Sequence, residues 1–136
     1  MSPQKDSRKK KKGYFTLVLH SHLPYVIGQR DWPHGMGWLY EASVESYLPL
    51  LNAFYDLVEK GISPRVTLSL TPVLCEQLRH PSFAPGFLGY IENKISLARQ
   101  NQSEFRRFGD HHKAYLADWW VEFYTCLLYT SDAADE

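Results

Sequence analysis

The sequence predicts an α/β architecture of parallel strands with covering helices, and three observations carry that prediction. Two segments of strand character, residues 14–19 and 65–70, are separated by a long stretch of helical period, which suits a crossover and not a hairpin. The first of them is apolar apart from Thr16, as strands buried on both faces are. Residues able to bind or react cluster directly after it, where parallel α/β folds collect their functional groups.

The composition is compatible with a packed domain. The chain has 136 residues, 44% hydrophobic and 15% aromatic, so the material for a core is present. Its formal net charge of zero is unevenly spread: Lys5, Arg8, Lys9, Lys10, Lys11 and Lys12 crowd the start, and the final residues are acidic. Residues 1–13 are expected to be a disordered basic leader. They lack interleaved aromatics and an apolar h-region, which argues against nucleic acid and against a membrane as partners. No run approaches the roughly 18 apolar residues of a membrane span. Cys75 and Cys126 have no metal or redox spacing, so a reducing, cytoplasmic setting is expected, with each cysteine a buried packing residue.

Each element follows from local chemistry. Pro24 stops the first strand, and residues 28–37 form a loop holding Arg30, Asp31, Trp32, Pro33 and His34. Over residues 38–60, Tyr40, Val44, Tyr47, Leu48, Leu51, Tyr55 and Val58 recur at helical steps, with Glu41, Glu45, Asn52, Asp56 and Glu59 largely opposite. Pro49 inside this amphipathic helix is expected to kink or divide it, and Gly61 after Lys60 to end it. The second strand runs into Thr71 and Pro72, an N-cap followed by a first-turn proline. The stretch HPSFAPGF is expected to be a loop, and residues 88–98 and 112–124 to be helices, the latter capped by Asp110.

The ending CLLYTSDAADE resembles a translated sequencing-adapter tail, so residues 126–136 are expected to be non-native. On that expectation the chain is an amino-terminal fragment. Two strands do not complete the sheet their pattern promises, so by itself it should be partly molten or aggregating.

Candidate chemistry centres on FTLVLHSHLPYV. Residues i and i+2 of a strand share a face, so His20 and His22 should point together. Paired imidazoles suit either a metal ion or hydrogen bonds to a polar substrate, and core histidines satisfied by backbone are the third possibility. A metal needs at least one more ligand. His34, Glu41, His80, His111 and His112 qualify only by residue type, and the second strand ends in Ser69 and Thr71 instead. Trp32, Trp38 and Tyr40 offer faces for sugar rings, although Tyr40 lies on the apolar stripe and is assigned to the core. Glu41 and Glu45 stand one helical turn apart, which suits acid/base work and a solvated helix face alike.

Three motifs in order, HSHLPYV (20–26), WLYEASVESYLPLL (38–51) and RVTLSLTPVLCEQL (65–78), resemble the amino-terminal part of family 57 glycoside hydrolases, in particular the α-1,4-glucan branching enzyme group. The resemblance covers roughly residues 14–105. It implies an incomplete (β/α)7 barrel of which residues 14–125 would be the amino-terminal portion. It further implies retaining chemistry on an α-glucan substrate such as glycogen, amylose or starch, with no metal or other cofactor required. The catalytic glutamate and aspartate of the family lie on later strands, so no catalytic residue is assigned in this chain. By the same carry-over His20 and His22 would contact the sugar at the cleaved bond, with Trp38 and Glu41 near the cleft. Gly37 stands where relatives often carry an acid.

Branching, amylase or 4-α-glucanotransferase activity within the family are all compatible with these residues. A metal-dependent amidohydrolase-type barrel and a non-catalytic glucan-binding protein are the readings from outside it.

Overall fold

The computed structural model describes residues 13–29 and 35–132. The basic leader up to Lys12, the loop residues 30–34 and the last four residues lie outside them. The element order is β1 (Leu17–Ser21), α1 (Met36–Ala42), a π-helical turn (Ser43–Tyr47), α2 (Leu48–Glu59), β2 (Val66–Leu70), α3 (Pro72–Arg79), α4 (Phe83–Arg107) and α5 (His111–Asp132). The alternation of strand and helix is therefore as expected.

β1 and β2 pair in parallel, from Leu17 opposite Val66 to Ser21 opposite Leu70. This ladder corrects the expected start of the first strand. Tyr14 and Phe15 precede the first pair and are almost fully exposed, while Ser21, expected beyond the strand, is drawn into it by Leu70. The expectation of burial on both faces also fails among the described residues. Val18 on β1 and Leu68 and Leu70 on β2 are exposed, because no described element covers the two-stranded sheet on those faces.

The helix containing Pro49 is neither broken nor simply kinked. Proline has no N–H to donate, and its ring crowds the carbonyl four residues earlier, that of Glu45. The chain responds by widening into the π turn directly ahead of it, with the Leu48 N–H reaching back five residues to the Ser43 carbonyl. Within that turn, the buried Ser43 hydroxyl donates to the Leu39 carbonyl at 2.7 Å. At the far end, Gly61 takes a left-handed φ of 70°. Its N–H meets the Val58 carbonyl and the Ile62 N–H meets that of Leu57, the paired bonds of a Schellman stop.

Thr71 caps α3 as expected, accepting from the Leu74 N–H at 3.4 Å. The stretch expected as a loop is helical from Phe83. Pro85 falls in the first turn of α4, where an N–H has no intrahelical partner to lose. Both long helices outrun their expected limits. Asp110 accepts from the Lys113 N–H at 3.1 Å, the predicted cap of α5. The same helix runs on through residues 126–132 and puts Leu127 into the core. Cys126 is exposed and Cys75 half-buried, which corrects their assignment as buried packing residues.

The core lies among the helices. Leu39, Tyr40 and Val44 from the first helical run meet Leu74 of α3, Phe87, Ile91 and Ile95 of α4, and Leu127 of α5. Gly86 matters here. A Cβ at that position would collide with the Tyr40 hydroxyl and ring, so the missing side chain lets α1 and α4 approach. The stripe fades along α2, where Leu51, Tyr55 and Val58 are exposed.

Candidate functional site

The site begins with the register of the sheet. His20 stands opposite Ser69, and its Nδ1 lies 3.1 Å from the Ser69 Oγ, so the ladder and a side-chain hydrogen bond both orient the imidazole. His22 follows the last strand residue and keeps the same side. The two rings lie nearly parallel, 14° apart in plane with centroids separated by 6.5 Å. Both side chains are exposed. They are thus not core histidines; they face solvent at the carboxyl end of β1, the end at which parallel sheets collect ligands.

Behind the pair the chain turns inward. Gln77 of α3, fully buried, accepts the Val26 N–H on Oε1 at 2.6 Å and donates from Nε2 to the Pro24 carbonyl at 3.1 Å. Val26 itself is buried. Sequence reasoning missed Gln77, although a signal was present. It lies on the apolar face of α3 beside Leu74 and Leu78, where a polar residue needs a reason.

Trp38 and Glu41 occupy α1. Trp38 is 41% exposed. Glu41 is exposed as well. Tyr90 of α4 is pushed up to about 12 by burial first and then by Glu41 and Glu45, and Tyr124 of α5 is raised by burial as its main cause. Tyr40 is buried against Phe83, Phe87 and Tyr90, as expected of a core residue. His80 contacts Ser82, His111 and His112 are exposed on α5, and His34 lies outside the described residues. Among the described residues no group of three or more histidine, cysteine or acidic side chains is arranged to hold a metal ion.

An open groove of about 520 Å³ runs between α4 and α5, lined by Lys94, Asn101, Phe105, Trp120 and Tyr124 among others. It includes none of the residues at the strand end. It is the unfilled seam of two amphipathic helices, and the exposed histidine pair remains the better-organised polar site.

No family model matches the chain. A 1,4-α-glucan branching enzyme of Thermococcus kodakarensis is 34% identical over 113 residues, which is 83% of this chain and 17% of that protein. The crystal structure of a GH57-type branching enzyme from Pyrococcus horikoshii superposes with a TM-score of 0.84 at 34% identity, over 92% of this chain and 23% of that one. The α-amylase AmyC of Thermotoga maritima superposes at 0.74 with 30% identity, over 88% of this chain and 22% of its own. The chain thus spans about a fifth of the length of the proteins it matches.

Proposed function

We propose, from the premise that the chain is a homologue of the GH57-type 1,4-α-glucan branching enzymes, that it forms the first two strands of an incomplete (β/α)7 barrel and one wall of an α-glucan site. In this reading residues 14–125 are the barrel portion. His20 and His22 hydrogen-bond the hydroxyls of a glucose unit at the cleaved bond, and Trp38 borders the same cleft. The observation that carries the reading is the pair of near-parallel, exposed imidazoles at the carboxyl end of β1, one of them anchored on Ser69.

The reaction is then a retaining transfer. One carboxylate attacks the anomeric carbon as the α-1,4 bond breaks and a second carboxyl group protonates the departing 4-oxygen; the second then takes the proton of a 6-hydroxyl of another glucan chain, whose oxygen displaces the first carboxylate from the anomeric carbon. Neither carboxylate is assigned to this chain. Its own residues bind and orient the sugar: imidazole nitrogens are compact hydrogen-bonding groups that suit sugar hydroxyls.

Titrating maltoheptaose while following the histidine ring signals tests the sugar site. His20 and His22 should shift together, and loss of the shift in His20→Ala and His22→Ala is expected. Rings indifferent to the oligosaccharide would remove the reading. For the catalytic half, the coding sequence downstream of residue 125 should carry a glutamate and an aspartate at the ends of later strands. The resemblance to AmyC favours glucan hydrolysis as a second reading, which product analysis separates from transfer.

A further inference from the structure

His20 and His22 are held by different means. His20 lies inside the parallel ladder and bonds Ser69, so its place follows from the sheet. His22 lies beyond the last paired residue, Ser21, and the last inter-strand bond, from the Thr71 N–H to the Ser21 carbonyl at 3.3 Å, stops at the peptide group before it. The next fixed points along the chain are the Pro24 carbonyl and the Val26 N–H, and both are held by one side chain, Gln77.

We propose that Gln77 is a positioning residue, whose amide clamps the backbone after His22 and so sets where that imidazole stands relative to His20. The chemistry at the clamp is specific to an amide. A backbone N–H requires an acceptor and a carbonyl requires a donor, so the orientation of the Gln77 fork is dictated by its partners. Leucine would fill the space and leave the buried Val26 N–H and the partly exposed Pro24 carbonyl without this partner. A glutamate carboxylate would accept from Val26 and repel the Pro24 carbonyl. A protonated glutamic acid would restore both bonds, since it carries one O–H donor and one acceptor in nearly the same shape.

The amide is a sound anchor because Gln77 is fully buried on a helix whose start is fixed by the Thr71 cap and whose neighbour Leu74 is also fully buried. The clamp also spans the sequence, joining partners 51 and 53 residues apart, so it ties the loop after β1 to the helix after β2. The role in sugar binding rests on the function proposed above; the mechanical role does not.

The test uses the full chain with Gln77→Leu and Gln77→Glu, maltoheptaose as probe, and three readouts between pH 5 and 8. These are exchange of the Val26 amide, the ring signals of His20 and His22, and oligosaccharide affinity, each taken as a ratio to the parent at the same pH. In Gln77→Leu, Val26 exchange should accelerate, the His22 signal should shift, His20 should hold, and affinity should drop roughly tenfold, the effect of one lost hydrogen bond at the upper end of its range. Gln77→Glu should behave like the leucine variant at pH 8 and approach the parent toward pH 5, because a buried carboxyl beside a carbonyl titrates above its usual range.

A glutamate variant that shows no recovery in acid overturns the clamp, as does an equal disturbance of His20 and His22. Should Gln77→Leu fail to fold, the pH course of the Gln77→Glu ratios to the parent decides the matter. If the parent leaves maltoheptaose unbound while Val26 and His22 respond as stated, the clamp stands and the glucan reading falls. If the parent binds and Gln77→Leu binds equally well, the reverse holds.

Discussion

The paired strands β1 and β2 and the paired helices α4 and α5 are each built from amphipathic or apolar sequence, yet they solve burial differently. Along α4, Ile91 is completely buried and Phe87, Ile95 and Ala98 nearly so, and α5 answers with Ala114, Ala117 and Leu127. In the sheet, Val18 is 61% exposed and Leu68 42%. Two long helices satisfy their own backbone and need only one apolar stripe each to make an interface. Two parallel strands satisfy each other along a single edge and leave two faces and two outer edges open. Open apolar surface therefore lies on the sheet as well as along α2, and the sheet carries the histidines. Its order at the functional end comes from Ser69 and Gln77, not from apolar cover.

The largest effect that would break this contrast is at Ile91. Ile91→Ala should cost about 2–5 kcal/mol, the range for truncating a buried isoleucine, and should be seen in urea unfolding followed by helical signal. Val18→Ala in the open sheet should stay within about 0.5 kcal/mol. Equal costs would mean that the sheet is as well packed as the helices. Next in size is Gly86→Ala, where the new methyl meets Tyr40 and should destabilise by about 1–3 kcal/mol through overpacking. Combined with Tyr40→Phe, which withdraws the atom nearest the clash, the loss should be smaller than the sum of the two single costs. Additive costs would show that the helices separate freely at this crossing.

The sequence made the strand order and the histidine pair legible because both depend on short-range geometry. Side chains two apart on a strand share a face whatever else the fold does, so His20 and His22 were readable before any tertiary contact was known. Thr71, Gly61 and Asp110 were readable for the same reason, since caps are local. What escaped was set by distant partners. The limits of β1 depend on where β2 begins, and Phe83–Pro85 joins α4 because Phe83 and Phe87 find Tyr40. Gln77 is the clearest case: its acidic neighbour Glu76 is an ordinary exposed helix residue, while Gln77 gains its meaning from two backbone groups on the other side of the crossover. The strand's apolar run promised cover on both faces, and that promise concerns elements beyond the two strands described.

Tyr90 sharpens the comparison from the side of charge, because its surroundings distinguish the helical core from the strand end. Burial is the main cause that moves it from 10.0 to about 12, with Glu41 and Glu45 adding to it. A group raised in the folded state favours folding fully below its unfolded value and loses that contribution as pH climbs through the folded one. Stability should accordingly fall between pH 10 and about 12 as this phenol ionises. Replacing Glu41 and Glu45 by glutamine should lower the Tyr90 midpoint, read from its ring signals, and leave it above 10.0, since the larger cause remains. The same double variant tests the place given to Glu41 near the cleft: weakened maltoheptaose shifts at His20 and His22 support it, and unchanged shifts confine its field to the helices. An unmoved Tyr90 together with a weakened sugar response would reverse that assignment, turning Glu41 away from α4 and making it the third member of the histidine site.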